Sequence, residues 1–372
     1  MEWLKKQFEL ARGSEPNIRP MEGLRGFAVL LVFLVHYVSA IEPWLTPASA
    51  TLAVARALHT LGNAGVDLFF VLSGYLIYGS LMARRQNVGR FLRRRAVRIY
   101  PAFSAVFLLY LALSYALPAE SKIPAGAGAA ARYLAQNYFL LAGFMAAPPL
   151  ITVAWSLSYE MLYYLAVPAL IGVFALRARS ARWRCAFFAL VSLLMAAGFA
   201  AFGGPVRLLM FIAGIFLRET LAAGRAGPRD AGALLALLLG MAALLAPGPL
   251  LFKTGALFGA FFLLCWTCFS HPRGGLARAM AWTPLRWLGN MSYSFYLLHG
   301  LALKAAFVAF AALVPAAPHG PLLFYALLAP MLAVSALASA ALFLLVERPL
   351  SLAPPAARAA RPAHSGARSP SP

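Results

Sequence analysis

Apolar residues in this chain gather into long, nearly unbroken runs instead of the three-and-four spaced stripes that coat one face of a soluble helix. Ten such runs follow one another along the 372 residues, at about 22–41, 64–82, 99–118, 153–176, 185–202, 206–223, 231–246, 250–270, 288–314 and 321–346. Most are near the roughly 20 residues that carry a helix across bilayer hydrocarbon. They predict an all-α integral membrane protein of about ten transmembrane helices. Two places disturb the pattern. The run at 206–223 contains Arg218 and Glu219, and a further stretch at 133–146 has the length of a short extra span or a re-entrant segment. An eleventh span there would invert everything that follows.

The basic residues decide between these counts. With a cytoplasmic N-terminus and ten spans, 26 of the 32 Lys and Arg fall in inner segments. Five fall outside (Arg56, Lys122, Arg132, Arg207 and Lys253), and Lys304 lies within a span. That bias supports ten spans with both N- and C-termini cytoplasmic. Composition agrees, since 62% apolar and 12% charged residues exclude a soluble fold. The net charge of +21 is then a topology signal and not a nucleic-acid footprint. Val38-Ser39-Ala40 resembles a signal-peptide cleavage site, but the long charged leader, Arg25 and His36 argue for a retained first span. Residues 351–372, rich in Pro, Ala, Arg and Ser, read as a disordered cytoplasmic tail after a single membrane domain over 1–350. Cys185, Cys265 and Cys268 cannot form a disulfide framework and read as packing residues.

Ionisable groups at membrane depth are costly and therefore functional candidates. Arg25 and His36, eleven residues apart, lie about 20° apart around a helix and about 16 Å apart along it, so they share a face. In "GVDLFFVLSGYLI" Asp67 sits one turn into the second span, with Ser73 and Tyr75 near its middle. In "WSLSYEMLYYL" Glu160 lies about 10 Å below the same surface. His36, Asp67 and Glu160 thus reach similar depths on three spans, which permits a His–carboxylate cluster. It equally permits Asp67 as a helix cap with Glu160 and His36 neutralising one another. On the cytoplasmic side Arg95 and Arg98, three apart before Tyr100-Pro101, are helix neighbours whose guanidinium forks suit phosphates; anionic lipid or topology explains such charges too. "LGNMSYSFYLLHG" places Ser292 and Tyr293 near the inner end of the ninth span and His299 about 16 Å from that end. In "VERP" Glu347 meets the interface and Pro349 stops the helix.

Taken in order, "GLRGFAVLLVFLVHY", "GVDLFFVLSGYLI", "RRRAVRIYPAF", "WSLSYEMLYYL", "LGNMSYSFYLLHG" and "VERP" resemble the membrane acyltransferase-3 family of bacterial polysaccharide and lipid O-acyltransferases. The resemblance runs from about residue 18 to 350. It implies ten helices with cytoplasmic ends, and carries the family's first-helix Arg and His onto Arg25 and His36, its basic pair onto Arg95 and Arg98, and its fourth-helix acid onto Glu160. One departure is Glu22, where the family commonly has Asp. Many members carry a fused hydrolase-like domain; none follows residue 350 here, so one acyl-transfer site is expected.

The expected function is transfer of an acyl group, acetyl from acetyl-CoA, to a hydroxyl of a glycan, lipid-linked sugar or small glycosylated acceptor at the bacterial inner membrane. His36, Glu160 and Asp67 are the expected catalytic groups. Arg25, Arg95, Arg98, Ser73, Tyr293 and His299 are the expected substrate-binding groups, with no bound cofactor or metal and no nucleic acid. The competing expectation is a transporter that uses the buried His, Asp and Glu as a proton or substrate pathway.

Overall fold

The computed structural model describes residues 2–10, 18–145 and 148–352. Among these the chain is helical, with no strand. In order run α1 (Glu2–Phe8), α2 (Ile18–Ile41), α3 (Ala50–Gly62), α4 (Ala64–Ala83), α5 (Val88–Ala116), α6 (Ala127–Tyr138), α7 (Trp155–Val173) and α8 (Ala181–Phe202). Then come α9 (Leu209–Ala222), α10 (Asp230–Leu245), α11 (Leu250–Ser270), α12 (Gly275–Met280), α13 (Thr283–Asn290), α14 (Ser292–Leu313) and α15 (Leu322–Leu342). A π-helix, Phe343–Leu352, continues α15. The tail expected after residue 350 lies outside the described residues beyond Leu352.

Each of the ten expected runs is helical. Eight stretches among the described residues are long and apolar enough to cross a bilayer, built on α2, α3 with α4, α5, α7, α8, α11, α14, and α15 with its π-helix. The other two runs are α9 and α10, of 14 and 16 residues. At about 1.5 Å per residue neither matches the roughly 30 Å of hydrocarbon. Enclosure explains the short α9: most of it is buried, and its Glu219 receives a bidentate guanidinium from Arg184 (2.7 and 2.6 Å) together with the Tyr78 hydroxyl. The charges that interrupt this run in the sequence are thus partly satisfied inside protein. α8, by contrast, buries only Phe188 and shows lipid an apolar surface.

The 133–146 stretch is not an eleventh span. α6 is 12 residues long, and the chain is then folded back onto it. Asn137 Oδ1 accepts from the Leu150 amide at 2.7 Å, and the Tyr133 hydroxyl donates to the Pro148 carbonyl at 2.9 Å. α3 fills part of what reads as a loop between the first two spans, started by Ser49, whose Oγ accepts from the Leu52 amide at 3.1 Å. Pro349 does not stop the last helix. The wider π turn carries the chain past the proline ring, so Glu347 ends fully buried instead of at the interface.

Small residues set how closely the spans approach. Where α2 crosses α13, a Cβ on Gly26 would lie 2.0 Å from the Leu285 carbonyl oxygen, and one on Gly289 would lie 1.7 Å from that of Glu22. The same crossing is pinned by Arg286, whose Nε donates to the buried Glu22 carboxylate at 3.0 Å. The family's common Asp is therefore met here by a longer acid with an arginine in reach. α4 and α9 meet in the same manner, with Gly74 and Gly214 each about one Cβ from the other helix's backbone.

Because backbone cannot yield as a side-chain tip does, Gly26→Ala or Gly289→Ala is expected to part α2 from α13, destabilising by about 1–3 kcal/mol or more. Gly255, in α11, has open space where its Cβ would go. Gly255→Ala is expected to leave the melting temperature unchanged or raise it. Thermal unfolding of the three variants in detergent checks the contrast.

Candidate active site

Two cavities lie in succession along α2, α5 and α14, with α4 and α7 completing the first. α2 contributes Arg25 to the first and His36 to the second; α5 contributes Arg95 and Arg98 to the first and Tyr110 and Ser114 to the second. α7 lines the first with Ser156 and Glu160, while Thr152 and Val153 just ahead of it line the second. On α14, Ser292 and Tyr293 face the first, Gly300 and Lys304 the second, and Tyr296 both. Tyr296 is thus a shared wall. Its hydroxyl lies 2.7 Å from Ser156 Oγ and donates to the Val153 carbonyl at 3.1 Å.

The first cavity is small, about 130 Å³, and its lining includes three arginines, a carboxylate and several hydroxyls. Arg25 donates to Ser292 Oγ from Nε (3.1 Å) and Nη2 (2.9 Å). Arg98 donates to Glu347 at 2.5 Å and lies over the Tyr293 ring at 5.4 Å. Arg95 lies over Phe91 and Tyr164 at 5.2 and 5.3 Å. Tyr293 is itself fixed by donation to the Ile99 carbonyl at 2.9 Å. Ser73 (3.3 Å) and Tyr164 (2.5 Å) both donate to Glu160 Oε1. Arg25, Arg95, Arg98, Ser73, Glu160 and Tyr293, expected from sequence at separate places, are therefore brought to one cavity.

The second cavity is larger, about 680 Å³, and mostly apolar, with His36 in its wall. Beside His36, at 4.7 Å between ring centroids, stands His299. His299, expected among the substrate-binding groups, is fully buried behind His36 and lines neither cavity. Its Nδ1 is within hydrogen-bond distance of the Phe295 and Tyr296 carbonyls (2.8 and 3.0 Å). Carbonyls only accept, so Nδ1 carries the proton and the buried Nε2 offers a lone pair.

The expected cluster of His36 with Asp67 and Glu160 does not form. Glu160 belongs to the first cavity, and the wall of Tyr296 and Ser156 separates that cavity from the one holding His36. Asp67 lines neither: it is buried with Oδ1 3.8 Å from Arg207 Nε. Helical rise fixes depth but not the direction in which a side chain leaves its helix, and here the three directions diverge.

Glu347 is the group the sequence reading undervalued. It accepts from the Ser294 amide (3.0 Å) and Ser294 Oγ (2.5 Å) while holding Arg98, so it ties the last helix to α14 and α5. Its only sequence signal was the "VERP" string. Glu347→Gln leaves the partly exposed Arg98 without its counter-charge. A loss near the lower end of the 3–5 kcal/mol typical of a broken buried pair is expected, read as a lower melting temperature. Arg286→Lys, at the distant Glu22 pair, is expected to cost less because both charges remain.

Comparison with known proteins identifies the family. The family described as "Acyltransferase domain" matches residues 19–340. Among curated relatives, the acyltransferase MdmB of Streptomyces mycarofaciens is 28% identical over 76% of this chain and 78% of its own length. The exopolysaccharide production protein ExoZ of Rhizobium meliloti is 30% identical over 78% of this chain and 90% of its own. The peptidoglycan O-acetyltransferase OatA of Listeria monocytogenes is 26% identical over 77% of this chain and half of its own. No solved structure matches. With the match running from the first span into the last, this multi-pass membrane chain belongs to the acyltransferase-3 family and is an acyltransferase.

Proposed function

We propose that the chain moves an acetyl group from acetyl-CoA to a hydroxyl of a glycan or glycolipid at the bacterial inner membrane, with both termini in the cytoplasm. The observation that carries this reading is the pair of cavities in series, one lined by arginines and the other by His36. Arg25, Arg95 and Arg98 present guanidinium groups at the end that the basic segments mark as cytoplasmic, and such forks suit phosphates. A cavity of about 130 Å³ admits the tip of a pantetheine arm and leaves the nucleotide outside. The acceptor enters the second cavity from the opposite face.

His36 then takes the proton of the acceptor hydroxyl as its oxygen attacks the thioester carbonyl. The carbon–sulfur bond breaks, and the departing thiolate recovers the proton from the imidazolium, so the balance closes with ester and free coenzyme A. His299, with its proton held at Nδ1, keeps the adjoining ring in place. Glu160 acts on the donor side, where hydroxyl donors, and no cation in a salt bridge among the described residues, meet its carboxylate. Thioester and hydroxyl meet only when the Tyr296–Ser156 contact opens.

His36→Gln is expected to lower acetyl transfer at least 100-fold with membrane insertion and melting temperature unchanged, the scale of a lost general base. Transfer of labelled acetyl from acetyl-CoA measures it; more than a tenth of wild-type turnover overturns the role. Intact-protein mass spectrometry in the absence of acceptor is expected to show no acetylated His36, whereas an adduct there would replace direct transfer by a two-step relay.

Arg95→Ala is expected to weaken acetyl-CoA binding about 10-fold or more, in line with charged hydrogen bonds of about 1.5–3 kcal/mol. Arg93→Ala, on the exposed face of the same helix, is expected to leave it unchanged. Equal affinities in titration calorimetry would make these arginines topogenic only.

A further inference from the structure

Lys122 and Lys304 stand at the wrong end of the molecule for topology to explain them. Positive residues are disfavoured on the outer side, yet both line the His36 cavity. Lys122 is held by two neutral oxygens, donating to the Pro149 carbonyl and to Thr152 Oγ1, each at 3.0 Å. An ammonium has three donors, so this geometry directs the group and leaves its charge uncompensated. Lys304, on α14 one turn beyond Gly300, is paired with Glu120 at 2.5 Å. The cavity's charged lining is therefore two ammonium groups against one carboxylate. Burial, and then the charge of Lys304, hold the Lys122 ammonium below the ordinary lysine range, the mark of a positive site that an anion would relieve. Behind these groups the wall is apolar, with Leu113, Leu117 and Leu150 among its side chains. A few fixed charges on an apolar wall are what orients a ligand in a pocket.

We infer that the acceptor carries an anionic oxygen group, a phosphate or a carboxylate, which Lys122 and Lys304 hold at the mouth of the cavity so that a hydroxyl is presented to His36. This rests on the transferase reading above and narrows its substrate class. Lysine is a point charge without a planar fork, so the site takes either anion. The source is the carboxylate of an acidic sugar or the phosphate of a lipid-linked one.

The test uses the full chain in nanodiscs of zwitterionic lipid and measures binding by calorimetry. The probes are a tetraglucuronic acid, its carboxyl-reduced counterpart, a short prenyl-diphosphate-linked hexose and the same hexose linked directly to the prenol. At least one anionic probe is expected to bind about 10-fold tighter than its neutral counterpart, and whichever does so identifies the source. Lys122→Met and Lys304→Met are each expected to reduce that preference. Glu120→Gln, which removes the competing carboxylate, is expected to widen it several-fold. In the unmutated chain the preference is expected to shrink as salt is raised. Equal binding of charged and neutral probes, a preference indifferent to both lysines, or a Glu120→Gln variant that binds the anion less well overturns the inference. Labelled acetyl transfer to the same probes separates the two readings. Anion-selective binding with no transfer leaves the site standing and removes the transferase reading, and transfer to neutral probes without anion preference does the reverse.

Discussion

Everything in this molecule is arranged around the closeness with which α2 can be approached. Gly26 on α2 and Gly289 on α13 let two backbones touch, and Gly62 and Gly65 bring the start of the second span against the Leu31 and Ala28 carbonyls on another side. In lipid no hydrophobic force drives one helix onto another, so contact dispersion and close backbone approach take over that role. A first span gripped on two sides cannot rotate freely about its axis. Arg25 and His36 consequently hold their directions, one toward each cavity, across about 16 Å of a single helix.

Charge is handled with the same economy. Among the described residues four acids are buried, and each has an arginine against it: Glu22 with Arg286, Glu219 with Arg184, Glu347 with Arg98 and Asp67 with Arg207. The pairs join helices distant in sequence, and breaking one strands an ion where water does not reach. Glu160 departs from this rule, since among the described residues its hydrogen-bond partners are hydroxyls. A carboxylate in a cavity that also contains three arginines, with no salt bridge among the described residues, fits the donor-side role proposed for it.

Sequence alone reveals the helices because length and apolarity are properties of single segments. All ten runs are helical, and basic-residue bias argued against an eleventh span that α6 and its folded-back connection do not form. What it conceals is rotation. His36 and Glu160 have similar depth by counting residues, but nothing in the count says that Tyr296 and Ser156 stand between their cavities. His299 was legible as a motif residue, while its burial behind His36 depends on how α14 packs against α2. Glu347 was obscured by the proline two residues later, because a π turn is not anticipated where an α-helix ought to end. Lys122 lies outside the ordered motifs, and only the third dimension sets it beside Lys304.

Tyr296 has one more consequence. A membrane must hold back ions, and two cavities that meet at one thin partition are where a leak through the protein would open. The aromatic ring shared by both cavities, clasped at its hydroxyl by Ser156 and Val153, stands where a file of water would have to pass. If acyl transfer runs between the two cavities as proposed, the arm that delivers the group fills the gap it passes through, and catalysis and insulation then depend on the same side chain.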